Sequence, residues 1–267
     1  MASKLNPTKA SSPIAWVGGK SKLTAEIIPI MPAHRCYVEV FAGAAWLLFR
    51  KPASKTEVIN DINGELVNMY RVIKHHRQAF IDEMRIMPVA RDLYNLQRAT
   101  PPEVLIDIQR AVRFYYTLRT AFGAKVVGQT FTISADRPST FNVEQIEQTI
   151  TAASERLARV YIDNRPYHKV IDALDRKDTL FYLDPPYWDC EDVYGRGLFG
   201  KDDFTRLAGQ LAGIKGKFIM SINDVPQIRQ LFGQFHIKEV NTRYSLNKAQ
   251  NKAVTELLIT NYPLPCN

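Results

Sequence analysis

The run Thr179-Leu180-Phe181-Tyr182-Leu183, followed without a break by Asp184-Pro185-Pro186-Tyr187, constrains this chain more than any other segment. Five residues of nearly unbroken apolar character read as a buried strand. The acid, the two prolines and the aromatic ring then fall where that strand leaves its sheet. Open α/β sheets bind their ligands at such places. Proline has a fixed φ and no N–H, so the turn presents carbonyl acceptors in a stiff geometry. Asp184 adds carboxylate oxygens, and Tyr187 a face on which a planar base can stack. The set suits chemistry on an amino group attached to a flat ring. Asp and Pro are also common in ordinary turns, so the rest of the chain decides between the two.

Cys36 to Phe41 alternates in apolar character and predicts a strand. It breaks into the small-residue turn Ala42-Gly43-Ala44-Ala45, then the apolar helix start Trp46-Leu47-Leu48-Phe49. Glu57 to Asn60 predicts a second strand ending at Asp61, and Asn63 is placed to cap a helix from Glu65 to Met84. Strand, glycine turn, helix, strand and acid open a doubly wound sheet. Lys217–Ile222, Phe235–Val240 and Val254–Thr260 predict its later strands. Residues 85–175 are instead mostly helical in pattern, with an Arg- and aromatic-rich helix from Val104 to Phe122. A β-hairpin or irregular loop is predicted from Gly123 to Asn142. The expected organisation is a loose tail at 1–13, a core at 14–84 and 176–267, and an inserted domain at 85–175.

The 267 residues carry a formal charge of +8 and a sequence pI of about 9.3, which favours a polyanionic partner such as nucleic acid. Cys36, Cys190 and Cys266 are scattered and odd in number, so a reducing cytoplasm is expected rather than a disulfide framework. His75-His76 lack a partner at zinc spacing, and no metal is expected. No apolar run reaches the length of a membrane span.

The turn after the first predicted strand lets backbone approach a ligand closely at Phe41 and Gly43. Its single glycine departs from the G-x-G-x-x-G of dinucleotide folds. Asp61, about twenty residues on, is placed to accept hydrogen bonds from ribose hydroxyls, or simply to cap a helix. Together they indicate a nucleoside cofactor. Trp16-Val17-Gly18-Gly19-Lys20-Ser21 looks like the tail of a P-loop, but Ile14 stands where that motif needs glycine. What remains is a ring, a Gly-Gly turn and a lysine able to meet a carboxylate.

The ordered set Trp16-Val17-Gly18-Gly19-Lys20, Val38-Glu39-Val40-Phe41-Ala42-Gly43, Asp61-Ile62-Asn63 and Asp184-Pro185-Pro186-Tyr187 resembles the Dam-type (D12 class) DNA adenine-N6 methyltransferases. Ser221-Ile222-Asn223-Asp224 and Glu256-Leu257-Leu258-Ile259 extend the resemblance over nearly the whole chain. It implies a Rossmann-like core, S-adenosylmethionine as cofactor and the N6 amino group of adenine in double-stranded DNA as acceptor. It places Trp16, Lys20, Asp61 and Asp184 around the cofactor. Asp184 and the Pro185 carbonyl would bind the target amine and Tyr187 would stack on the flipped base. The middle segment would be the target-recognition domain. Two departures stand out: Ala45 where the family commonly has a second glycine, and Leu118 to Lys125, which only loosely resembles the usual GATC-recognition segment. A short or relaxed target is therefore expected, with GATC among the candidates.

Arg113, Arg119, Lys125, Arg137, Arg243, Lys248 and Lys252 are the candidate DNA contacts, each also readable as solvated surface. A monomer or weak dimer is expected. N4-cytosine methylation is the nearest alternative, and a non-catalytic DNA-binding protein that keeps the cofactor fold is another.

Overall fold

The computed structural model describes residues 11–14, 16, 20, 21, 23–121, 130, 131, 133, 135, 136, 139, 141–191, 197–243 and 253–264. Among them lie seven strands: β1 (Cys36–Glu39), β2 (Thr56–Asn60), β3 (Tyr161–Asp163), β4 (Thr179–Leu183), β5 (Lys217–Asn223), β6 (His236–Arg243) and β7 (Ala253–Thr260). The chain divides into two compact units. One comprises 1–19, 43–52 and 63–164, and the other 20–42, 53–62 and 165–267. Compactness thus groups the helix Gly64–His75 with the middle of the chain, whereas the sequence pattern groups 14–84 with the core.

The second unit holds a mixed sheet in the order β2-β1-β4-β5-β7-β6. β2, β1, β4 and β5 run parallel, and β7 is antiparallel to both β5 and β6. β1 and β4 are adjacent, yet the chain leaves β1 toward β2 and leaves β4 toward β5. Their carboxyl ends therefore define a topological switch point, where doubly wound sheets place ligands. This is a Rossmann-like architecture, as the strand pattern predicts.

Alternation along the strands separates two faces. Val38, Val40, Val58, Phe181, Leu183, Phe218, Met220, Ile222, Leu257 and Ile259 all join one apolar cluster. Helices Tyr167–Leu174, Lys201–Gly213 and Pro226–Leu231 complete it with Val170, Ile171, Phe204, Leu207, Leu211 and Ile228. Burying each such side chain contributes about 1.5–3 kcal/mol. The residues between them in register, Tyr37, Glu39, Tyr182, Ser221 and Glu256, belong to the opposite face by strand period. That face carries Glu39, Ser221 and Glu256, all buried.

The other unit is mainly helical. Asn63 caps Gly64–His75 as predicted, its Oδ1 accepting from the Glu65 and Leu66 N–H groups at 3.0 and 3.1 Å. The predicted single helix to Met84 is in fact two, because His76 adopts φ −128° and ψ 34° between Gly64–His75 and Arg77–Arg85. Asp107–Thr120 packs on the first of them, with Asn68 Nδ2 donating to the Asp107 carbonyl at 2.8 Å. Phe80 meets Tyr115 edge-on. Of the predicted hairpin, most residues lie outside those described, and an isolated antiparallel bridge joins Ala121 to Phe131. Among the described residues no helix is long and apolar enough to cross a membrane.

Candidate active site

Asp184 stands at the carboxyl end of β4, beside the switch point. Lys20 precedes the short helix Thr24–Ile27 and is almost wholly buried. Its Nζ lies 2.9 Å from Asp184 Oδ1, with side-chain exposures of 4% and 22%. The same ammonium sits 4.5 Å from the centre of the Tyr187 ring. Ser221 on β5 donates its hydroxyl to Asp184 Oδ1 at 3.2 Å and meets the Tyr182 hydroxyl at 2.7 Å. Asp184, Lys20 and Tyr187, marked by the sequence, are thus brought together.

Burial pushes the Asp184 carboxyl above its ordinary range. The Lys20 charge and the Ser221 hydroxyl oppose this and favour the carboxylate. Tyr187 is pushed well up by burial and by the nearby acids Asp184 and Glu256, so it stays a phenol.

Glu256 on β7 joins this cluster. It is fully buried, and neither carboxylate oxygen makes a hydrogen bond of good geometry among the described residues. Burial raises its pKa to about 7. Lys20 pulls it down, Asp184 pushes it up, and the Tyr187 hydroxyl favours the charged form. The folded protein therefore takes up a proton between the ordinary value of 4.5 and about 7. Stability falls as pH rises through that window and is level above it. Glu256→Gln is expected to abolish this fall, gaining on wild type by about 2–3 kcal/mol between acid and neutral pH. Urea unfolding across the window reads it. A wild-type-minus-variant difference that stays constant with pH would show that Glu256 does not titrate there.

Neither Ser221 nor Glu256 carries a sequence signal that singles it out beyond its place in a strand. The available signal was a polar residue at alternate positions of an otherwise apolar strand: Ser221 between Met220 and Ile222, and Glu256 before Leu257-Leu258-Ile259.

The expected cofactor residues are distributed over the two units. In the sheet unit, Phe41 follows β1 and packs against Tyr167 and Phe199, with ring centroids 5.6 and 5.8 Å away. Asp61 follows β2 directly and is partly exposed. In the helical unit, Gly43 has φ +46°, and a Cβ there would lie 3.0 Å from the Trp16 ring. Glycine alone suits that combination of conformation and close approach. Ala45, where the family commonly has glycine, keeps the left-handed conformation at φ 49°.

The expected DNA contacts fare differently from one another. Arg113 is 15% exposed and engaged internally, donating to the Thr100 carbonyl at 2.8 Å and facing Glu65. Arg119 is half-buried against the Tyr115 ring. Arg243 ends β6. Lys125, Arg137, Lys248 and Lys252 lie outside the described residues. Among the described residues, no cluster of three or more His, Cys, Asp or Glu could hold a metal ion.

A Rossmann-like sheet with an acid-proline-proline-tyrosine turn at its switch point defines a ligand-binding α/β class. Comparison with known proteins narrows it: the sequence profile of the D12 class N6 adenine-specific DNA methyltransferases matches residues 16–246. The chain belongs to this family and is an adenine-specific DNA methyltransferase. It is 26% identical over 262 residues to the type II methyltransferase M.CviBI of Paramecium bursaria Chlorella virus NC1A, covering 93% of this chain and 98% of that one. To the type II methyltransferase M1.LlaDCHI of Lactococcus lactis subsp. cremoris it is 28% identical over 272 residues, covering 92% and 94%. To the DNA adenine methylase of Vibrio cholerae serotype O1 it is 26% identical over 272 residues, with the same coverage.

Proposed function

We propose that the enzyme takes its methyl group from S-adenosylmethionine and places it on N6 of an adenine turned out of duplex DNA. The observation that carries this reading is the Lys20–Asp184–Ser221 arrangement at the switch point, with the Tyr187 ring beside it. The residues fit such a donor. Two acids, Asp184 and Glu256, share one buried lysine, a balance that suits a cation. Asp61 at the end of β2 suits a ribose, and the turn after β1 lacks a pyrophosphate signature. When bound, the cofactor supplies an electrophilic methyl group on a positively charged sulfur.

The chain's own groups do the rest. The exocyclic nitrogen of adenine is a weak nucleophile because its lone pair is delocalised into the ring. An ionised Asp184 and the Pro185 carbonyl would accept hydrogen bonds from its two N–H groups, drawing the nitrogen toward tetrahedral geometry. One of these protons would be lost as the methyl group is gained, with Asp184 its nearest acceptor. Lys20 and Ser221 hold the Asp184 carboxylate in place without a catalytic metal or covalent intermediate in this reading. Positioning and preorganised charge supply the acceleration. Extruding the base costs a few kcal/mol, and stacking on Tyr187 returns about 1–3 kcal/mol. Arg119 and Arg243, with Lys125, Arg137, Lys248 and Lys252, are the proposed contacts to phosphate or base edges. The target is proposed to be short or relaxed.

Nucleoside mass spectrometry of DNA incubated with the purified enzyme and S-adenosylmethionine tests the reading. N6-methyladenine is expected, and N4-methylcytosine or no product would overturn it. Sequencing of the methylated positions at limiting enzyme reports the target, and methylation confined to GATC would refute a relaxed one.

A further inference from the structure

Ser221 and Asn223 are two residues apart on β5, so they share the face opposite the apolar cluster. Ser221 holds the Asp184 carboxylate at 3.2 Å. Asn223 holds the other end of the same turn, and does so twice. Its Oδ1 accepts from the Trp188 N–H at 3.0 Å, and its Nδ2 donates to the Trp188 carbonyl at 3.2 Å. A single strand thereby grips the turn at its acid and at its last peptide. Between the grips lie Pro185 and Pro186, which have no N–H with which to anchor themselves.

The backbone just beyond turns through the left-handed region. Asp189 has φ +66°, and the Cys190 N–H donates to the Tyr187 carbonyl at 2.9 Å. Asp enters this region more readily than most residues, and Asn223 holds the Trp188 N–H and C=O that precede it.

We infer that Asn223 is a positioning residue for methyl transfer: by fixing the Trp188 peptide it sets the Pro185 carbonyl and the Tyr187 ring against the Asp184 that Ser221 holds. It acts through the turn and touches neither substrate nor cofactor. The inference rests on the reaction proposed above.

The test uses the full chain and two variants, Asn223→Ala, which removes both bonds, and Asn223→Asp, which keeps the acceptor for the Trp188 N–H. Wild type is measured first. If it does not methylate adenine in DNA, the proposed reaction itself fails. If it does, the single-turnover rate of Asn223→Ala at saturating DNA and S-adenosylmethionine is expected to fall about 10–100-fold, the scale of a misplaced reacting group. Affinities for S-adenosylmethionine and for DNA, measured by calorimetry, are expected to stay within about threefold. Asn223→Asp is expected to lie between wild type and Asn223→Ala, and it carries the same comparison if the alanine variant does not fold. A rate within about threefold of wild type overturns the inference. So does a rate loss matched by an equal loss of binding, which would mark Asn223 as merely structural.

Discussion

Asp184→Ala is expected to lower methyl transfer by at least roughly 10²–10³, the usual cost of removing one preorganised polar contact from a reacting site. Asp184 is at the switch point of the sheet, and its carboxylate is held by a buried ammonium and a hydroxyl. The substitution removes the proposed acceptor of an amino hydrogen and leaves the carbonyl of Pro185 alone. It also deprives Lys20 of its nearest counter-charge, which by itself is costly in a buried site. Glu256 limits that cost, because Lys20 already acts on its carboxyl and favours the charged form. The variant is therefore expected to fold and to show its defect in rate. Asp184→Asn, which keeps size and polarity, separates charge from shape. Single-turnover kinetics with a circular dichroism control decides the matter. Transfer near the wild-type rate by folded Asp184→Ala would remove Asp184 from the chemistry.

Lys20→Met is expected to affect stability and activity in opposite directions with pH. The substitution leaves Asp184 and Glu256 facing each other in a buried site with no cation between them. Breaking a buried pair in this way costs about 3–5 kcal/mol when the remaining charge stays ionised. Protonation relieves it. Both carboxyls, already raised by burial, move higher without Lys20. The stability deficit is therefore small in mild acid and grows as pH rises and the pair ionises. Activity runs the other way, since the proposed acceptor role of Asp184 needs its carboxylate. The residual rate of Lys20→Met should climb with pH while its unfolding midpoint falls. A deficit independent of pH would show that Lys20 supports the site by packing rather than by charge.

Most of the sheet was readable from the sequence because β1, β4, β5 and β7 are short apolar-rich runs, whereas β3 (Tyr161–Asp163), three residues within a stretch of helical pattern, was not. β4 matches its predicted span, Thr179 to Leu183, and β2, β5, β6 and β7 shift by up to three residues at an end. The Asn63 cap was legible for a local reason: a side chain that satisfies the first N–H groups of its own helix needs no tertiary partner. The break at His76 was not, because residues on both sides keep one helical period and only the backbone angles at that position reveal it. The Asp184–Lys20 pair joins distant parts of the chain, and the resemblance suggested only that both belong to one site. Ser221, Asn223 and Glu256 sit in strand patterns that do not by themselves reveal a role. Their task depends on which strand lies beside which, and β7 returning between β5 and β6 is not implied by any local spacing. The burial of Arg113 was equally hidden, since its partners Thr100 and Glu65 are set by how helices pack.

That return of β7 has a consequence for how the enzyme is made. β6 reaches the rest of the sheet only through β7, since the order is β5-β7-β6. A chain synthesised as far as β6 has a strand whose only neighbour in the sheet order, β7, is not yet made, and it lacks Glu256. The site also needs Lys20, which emerges more than two hundred residues before Glu256. Contacts so distant in sequence must pay loop-closure entropy before they return any stabilisation, and they slow folding. The Glu256 contribution to the candidate site therefore depends on β7, the last strand of the sheet in chain order. The parallel strands can pair before β7 is made, but β6 and Glu256 join the sheet only with it.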